Sequence, residues 1–572
     1  MPTILAQLDI AFRKAITDAF GFEADPLLSV AQNDKFGDYQ SNAAMGLAKQ
    51  VAEKTGQKTN PRVVAEQIKA KLELGETASE VSIAGPGFIN VRLSPAWLAR
   101  QIVGLRSDAR LGIPRTEKPT TVVVDYSGVN VAKQMHVGHL RSTNIGDTIA
   151  RILEFQGQQI IRQNHIGDWG TQFGMLIAFL KWTGLGADAR IEDLEDFYRR
   201  AKQKFDAEPP FAEEARQTVV RLQAGGVDEL AMWKRIVDES RAHFQPLYDR
   251  MHVSLSREHE RGESFYNSML ADVVKELREK EVAVESEGAI VVWVEKFETP
   301  LIIQKRDGGY GYGTTDLAAI RYRTGELAAT RLAYVTDARQ REHFAKVFDA
   351  ARRAGWTQDA AVEHVMFGAI LGTDNKPIKT REGTPVSLKS VFDDAVERAR
   401  AVVAEKSRDL ADDQRQRIAQ AVGIGAVKYF DLNKDRVSDY VFDWDKMLSM
   451  DGNTAPYLQY AHARIQSIFR KAGGVPALST PIQLASPHEL ALGKHVLRMS
   501  EILDVVAREL RPHHLTTYLY ELATKFSGFY ENCPVIQSDE PTRSSRLALC
   551  DVTARTLALG LDLLGIEHPE QM

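Results

Sequence analysis

The sequence predicts a doubly wound parallel α/β domain, split by a helical insertion, with an α+β module on its N-terminal side and an all-helical domain on its C-terminal side. Three observations carry that prediction. Val122, Val123 and Val124 in TVVVDYSG form the continuous apolar run of a strand buried on both faces of a parallel sheet. A glycine-containing turn, an amphipathic helix and a second strand in QQIIRQNHIGDWG then complete a β-α-β unit. From Thr171 to about Glu287 the pattern is mainly helical and highly charged, and beyond about Val391 it is almost entirely helical.

In order along the chain, residues 1–112 alternate helical patterns with SIAGPGFINVRL, where Gly85, Pro86 and Gly87 mark a turn before a strand from Phe88 to Leu93. Ser107 to Thr120, with Pro114 and Pro119, reads as a linker. The split α/β domain occupies residues 116–390. Its first helix, from about His139 to Phe155, places Leu140, Ile145, Ile149, Ile152 and Leu153 on one face and Arg141, Asn144, Asp147 and Arg151 on the other. The insertion covers residues 172–290, after which GAIVVWV, PLIIQKRDGGYGYGTTD, RLAYVTDARQ and HVMFGAILG read as strands that resume the sheet. A helical connection over 391–447 leads to a helical bundle over 448–572, with breaks expected at Asp451-Gly452, Gly473-Gly474 and Cys533-Pro534.

Composition narrows the function. The 572 residues are 44% hydrophobic, enough for several cores, yet no run approaches the ~18 apolar residues of a membrane helix. The N-terminal stretch mixes Asp9 and Asp18 with Arg13 and Lys14, unlike a signal or transit peptide, so a cytoplasmic location is expected. With only Cys533 and Cys550, a four-cysteine zinc site is impossible and a disulfide framework is not implied. A formal net charge of −5 means that any contact with nucleic acid comes from local patches and not from a general electrostatic footprint.

His136-Val137-Gly138-His139 follows the first strand and opens the helix. Two imidazoles three residues apart face one side, placed to donate to a phosphate, and the glycine leaves room for a base against the backbone. Donors of this kind stabilise a pentacovalent α-phosphate better than its ground state, as adenylate formation requires. NHIGDWGTQFG ends the second strand as a tight glycine loop close to the same place, and GTDNKPIKTREGTPVSL carries Lys376, Lys379 and Arg381, cations that could close over a triphosphate.

The run SGVNVAKQMHVGHLRSTNIGD resembles the ATP-site signature of class I aminoacyl-tRNA synthetases in its arginine-specific form, and the likeness extends from Phe36-Gly37-Asp38-Tyr39 to the terminal PEQM. It implies a Rossmann-like catalytic domain that makes arginyl-adenylate from L-arginine and ATP with Mg2+, then transfers arginine to tRNA(Arg). It implies ATP-site roles for His136, Gly138, His139, Met366 and Lys379, no protein-bound metal, and activation that depends on bound tRNA. Where most of the class has Lys-Met-Ser-Lys, this chain has Pro377-Ile378-Lys379-Thr380. The resemblance suggests Lys133 as the source of the missing charge, with the division of labour among Lys133, Lys379 and Arg381 open.

A pocket that prefers a guanidinium to an ammonium needs carboxylates for forked hydrogen bonds and gains from an aromatic face. Asp125, Asn130, Tyr312, Asp316 and Gln340 fall at predicted strand ends or helix starts. The resemblance places Asn130 and Gln340 by the backbone of the amino acid and Asp125, Tyr312, Asp316 and Glu263 around its side chain. In the helical domain Tyr457, Tyr460 and Arg464 lie at i, i+3 and i+7 and share a face suited to stacking bases and holding phosphate, or to core packing. Phe88 is a second stacking candidate, although a Phe that begins a strand also reads as core, and the resemblance adds Met572 to the tRNA contacts. A monomer is expected. Two alternatives stand beside this reading: another enzyme built on the same nucleotide site, and a non-catalytic RNA-binding relative.

Overall fold

The computed structural model describes residues 2–56, 59–170, 172–184, 194–378, 386–406 and 409–572. The N-terminal module runs α1 (Ile4–Phe20), β1 (Leu28–Val30), β2 (Tyr39–Ser41), α2 (Ala43–Thr55), α3 (Pro61–Lys71), β3 (Ala78–Ala84), β4 (Phe88–Leu93) and α4 (Pro95–Ser107). Its antiparallel sheet has the order β1-β2-β4-β3, and Phe12, Ile16, Val64, Ile68, Ile89 and Val91 close the core between sheet and helices. The turn before β4 requires glycine, because at Gly87 φ is +147° and a Cβ would come 2.8 Å from the Pro61 carbonyl oxygen. The segment after α4 is packed: Leu111 and Ile113 are buried, and Asp108 accepts the N–H groups of Arg110 and Gly112, each at 2.9 Å.

The α/β domain begins with β5 (Thr121–Asp125), α5 (Val137–Phe155) and β6 (Gln159–Gln163), the expected β-α-β unit. The insertion supplies α6 (Gln172–Thr183), α7 (Leu194–Ala207), α8 (Pro209–Gln223), α9 (Val227–Arg250) and, after two 3-10 segments at Arg257–His259 and Glu263–Met269, α10 (Leu270–Glu279). Then come β7 (Val284–Ser286), β8 (Ala289–Val292), β9 (Leu301–Gln304), α11 (Tyr312–Gly325), β10 (Arg331–Tyr334), α12 (Arg341–Arg353), β11 (Ala361–His364) and β12 (Ile370–Leu371). The main sheet is parallel, in the order β11-β10-β5-β6. The chain steps outward to β6 on one side and to β11 on the other, so the switch point lies between β5 and β10, where a ligand crevice opens beyond the carboxyl ends of the strands.

Two strand expectations need correction. GAIVVWV and PLIIQ do form β8 and β9, but these join β7 in a separate antiparallel sheet, and the main sheet resumes only at β10. The cause is local: between β7 and β8 stand only Glu287 and Gly288, with φ of +50° and +81°, a tight hairpin turn, whereas a parallel pairing needs a long crossover. HVMFGAIL is likewise not one strand. β11 ends at His364, the chain leaves the sheet, and β12 pairs instead with β13 (Tyr440–Val441). At the departure point Gly368 packs so closely that a Cβ would lie 2.5 Å from Asp439 Oδ1.

The rest of the chain is helical apart from β13, with α13 (Leu388–Lys406), α14 (Asp412–Leu432), α15 (Trp444–Met447), α16 (Ala455–Ala472), α17 (Pro487–Val496), α18 (Met499–Glu509), α19 (His513–Asn532) and α20 (Thr542–Leu563). The breaks fall where expected, with α16 closing on left-handed Gly473 and α19 on Cys533. α5 runs beneath this assembly and is buried on both faces. Its polar face is neutralised by protein: Arg141 pairs with Asp431 at 2.9 Å and donates to the carbonyls of Gly368 and Ser438. The N-terminal module docks on the C-terminal helices through Glu501, which accepts from Tyr39 Oη and the Leu5 N–H at 2.9 Å each. Arg106 of α4, fully buried, pairs with Asp551 at 2.9 Å and donates to the carbonyls of Pro476, Ala477 and Leu478.

Candidate active site

β5 delivers the chain to the crevice at Asp125, and the following turn returns it to the N-terminus of α5, where His136 is the N-cap. The cap is made by the histidines themselves. The Gly138 N–H donates to His136 Nδ1 and the His136 N–H donates to His139 Nδ1, both at 3.1 Å, and the ring centroids lie 4.0 Å apart. An Nδ1 that accepts from backbone cannot carry a proton, so each ring is held as the neutral tautomer with its N–H at Nε2. The electrostatics agree. Burial, then the charge of Lys133, holds His136 below the usual histidine range, and burial, then the adjoining His136, takes His139 down to about 3. Gly138 is required here for a reason the sequence did not suggest: a Cβ would sit 2.8 Å from Cε1 of His136. Lys133 is exposed, its Nζ 5.0 Å from the centroid of the Tyr198 ring. Met366 is half-buried between β11 and β12, its carbonyl accepting from Arg436 at 2.7 Å. Lys379 and Arg381 lie outside the described residues.

The loop after β6, the 3-10 segment at Glu263 and the start of α11 are acidic. The loop that ends β6 packs on the turn holding Asn130, so closely that a Cβ on Gly167 would meet Asn130 Oδ1 at 2.5 Å. The same loop carries Asp168, which accepts from the N–H and the hydroxyl of Ser264 at 2.9 and 2.7 Å. That grip sets Glu263 beside it, with the Glu263 N–H bonded to the Ile166 carbonyl at 3.1 Å. Burial, then the charges of Asp168 and Asp316, pushes Glu263 up to about 7, and burial likewise raises Asp168. Asp316, in the first turns of α11, takes His343 Nε2 at 2.6 Å, and Tyr312 meets the same His343 ring edge-on at 5.6 Å. Gln340 ends a 3-10 turn and is exposed. Asp125 is already engaged: Arg323, fully buried, donates to its Oδ2 at 2.8 Å and to Gln163 Oε1 at 2.6 Å.

Sequence reasoning missed Asp168, Arg323 and His343. Asp168 stood in the glycine loop placed near the site, and its flanking glycines were the available signal. Nothing in the sequence marked Arg323 or His343 as partners of Asp125 and Asp316.

Residues 102–444 match the family described as tRNA synthetases class I (R), catalytic domain, residues 458–572 the DALR anticodon binding domain, and residues 6–93 the arginyl tRNA synthetase N terminal domain. The chain is 50% identical to an arginine–tRNA ligase of Synechococcus sp. over 100% of both chains, and 52% identical to one of Cellvibrio japonicus over 96% of this chain and 97% of that one. The crystal structure of arginyl-tRNA synthetase from Plasmodium falciparum superposes over 100% of both chains with a TM-score of 0.88 at 32% identity. This chain belongs to the arginyl-tRNA synthetase family. The synthetase is therefore a class I ligase, and charging tRNA with arginine is its reaction.

In the helical domain of the synthetase, the three residues expected to share a face do so on α16. Arg464 is layered between two rings, 4.8 Å from the Tyr460 centroid and 5.3 Å from that of Tyr530, and donates to the Tyr460 hydroxyl at 2.9 Å. Tyr460 and Tyr530 are exposed, whereas Tyr457 is half-buried against the core with its hydroxyl 3.2 Å from Ser527 Oγ. Phe88 is half-buried under its turn, and Met572 packs on the small core that α13 and α14 form with Ala399, Val403 and Val422.

Proposed function

We propose that the synthetase runs its reaction in the crevice beyond β5 and β10, with the phosphates of ATP at His136 and His139 and the guanidinium of arginine at Asp316, Tyr312 and Glu263. The two Nε2–H groups donate to the α-phosphate as the arginine carboxylate attacks it and pyrophosphate leaves. Lys133, Lys379 and Arg381 neutralise the charge passing to pyrophosphate, and Gly138 and Met366 lie along the nucleoside. Asn130 and Gln340 hold the amino and carboxylate groups of the amino acid, and Asp125 faces the pocket with the oxygen that Arg323 does not take. Mg2+ bound with ATP would offset the charge of its phosphates, and no zinc is called for. Phe88 in residues 1–112 and Tyr457, Tyr460, Arg464 and Met572 around the helical domain of residues 448–572 hold tRNA(Arg). The catalytic part is residues 116–390 with its insertion at about 172–290, and residues 391–447 connect it to the helical domain. The protein acts as a monomer in the cytoplasm.

The observation that supports this reading best is the pairing of neutral phosphate donors and a carboxylate cluster across one switch point. The test is ATP–pyrophosphate exchange across the twenty amino acids, with and without total tRNA. Exchange for arginine alone is expected. Exchange for another amino acid, or none for arginine with tRNA present, would overturn the assignment of the pocket.

A further inference from the structure

We infer that His343 is a positioning residue for arginine selection, fixing the Asp316 carboxylate and the Tyr312 ring together. The inference rests on the reading of Asp316 and Tyr312 as guanidinium ligands. His343 lies in the first turn of α12, on a different helix from both partners, and its imidazole does two things at once. Nε2 lies 2.6 Å from Asp316 Oδ2, and the ring meets Tyr312 at 5.6 Å with an interplanar angle of 69°. The ring is held from behind by Phe344, a core side chain, at 5.2 Å and 74°. Side-chain exposures of 21% for His343 and 15% for Asp316 put this bond largely out of water, where a carboxylate without a partner is costly.

The consequence for specificity follows from oxygen counting. A carboxylate has about four acceptor sites on its two oxygens; here one site of Oδ2 is occupied by the imidazole, which fixes the orientation of the carboxylate and leaves Oδ1 the unencumbered acceptor for the ligand. The second carboxylate of the fork is Glu263, the other acid of the proposed pocket. Arginine is read by two carboxylates on separate segments, one of them clamped by His343. A lysine ammonium, a compact point charge, cannot span both. If the clamp is released, Asp316 is free to rotate and lysine is excluded less well.

The experiment measures pyrophosphate exchange, with tRNA present, for His343→Ala, His343→Phe, His343→Gln and Asp316→Ala. Loss of a hydrogen bond to a charged group corresponds to about a 10- to 100-fold change. His343→Phe keeps the ring packing on Tyr312 and Phe344 and removes only the donor. It should raise the arginine KM by about that factor, leave kcat and the ATP KM near their original values, and erode discrimination against lysine. His343→Gln, whose amide nitrogen reaches the place of Nε2, should restore most of the arginine KM. His343→Ala combined with Asp316→Ala should be no worse than Asp316→Ala alone. An unchanged arginine KM in His343→Phe, or full additivity in the double variant, would overturn the role of His343 while leaving the pocket intact. An unchanged arginine KM in Asp316→Ala would instead overturn the pocket reading on which it rests.

Discussion

At the N-terminus of α5, burial lowers two histidines, and around Glu263 it raises two carboxylates, but the consequences are opposite. His136 and His139 are already in the form that donates to phosphate, their tautomers fixed by backbone N–H groups before any ligand arrives. Glu263, pushed up to about 7 by burial and by the charges of Asp168 and Asp316, is held back from the charged form that a guanidinium needs, and burial also raises Asp168 above the usual carboxylate range. On the proposed reading the phosphate end is preorganised, and the amino-acid end is completed by its ligand, whose positive charge would favour the ionised form of Glu263. Preorganised dipoles act on the transition state without rearrangement, whereas a site completed by a cation discriminates by requiring one.

Three measurements would break or sharpen that contrast. The largest effect is expected at the acidic wall. Asp316→Ala leaves a partly buried cation without its partner, at a cost of roughly 2–5 kcal/mol, and should appear as a steep rise in the arginine KM with the ATP KM unmoved. A comparable rise in both constants would mean that the two ends are not separable. Next in size is His139→Ala, for which loss of a transition-state donor should lower kcat for exchange by about 10²–10³-fold with little change in arginine affinity. This variant also loses the acceptor for the His136 N–H, so a drop of about 1 kcal/mol in folding stability is expected and is read separately by thermal unfolding.

The smallest effect is a pH dependence that only one end should show. Because Glu263 sits at about 7, it is protonated below that pH in the free enzyme, and binding the arginine cation must expel the proton. The arginine KM should be flat above about pH 7 and rise as pH falls, by up to about tenfold per unit, and Glu263→Gln should flatten the rise. The ATP KM should stay level through the same range, since His139, at about 3, remains neutral throughout. A parallel rise in the ATP KM would place the titrating group at the phosphate end.

The same contrast explains what the sequence could and could not disclose. The proposed phosphate end is built from residues adjacent in the chain: Val122 to Val124 make the strand, and two histidines one helical turn apart make the cap, so a local reading finds the strand and brings the two histidines together. The proposed amino-acid end draws on the loop after β6, the 3-10 segment at Glu263, α11 and α12, and the pairs Arg323 with Asp125 and His343 with Asp316 join distant or separate elements. Periodicity found β8 and β9 without revealing their sheet, because pattern reports burial and not partnership. It likewise divided α5 into two faces without showing that Asp431 would bury the polar one.

Arg106 bears on how the chain could be taken apart. The family descriptions divide it at residues 93 and 102, as though the front module were a cassette, yet the helix just past that boundary threads its guanidinium into the far end of the polypeptide, against Asp551 and the Pro476–Leu478 turn. Removing one partner of a buried ion pair costs about 3–5 kcal/mol. A chimera that exchanged the first 112 residues for a segment without an arginine at position 106 would leave an orphaned carboxylate some four hundred and forty positions downstream. Head and tail of this polypeptide are separated in the text of the sequence and continuous in the solid.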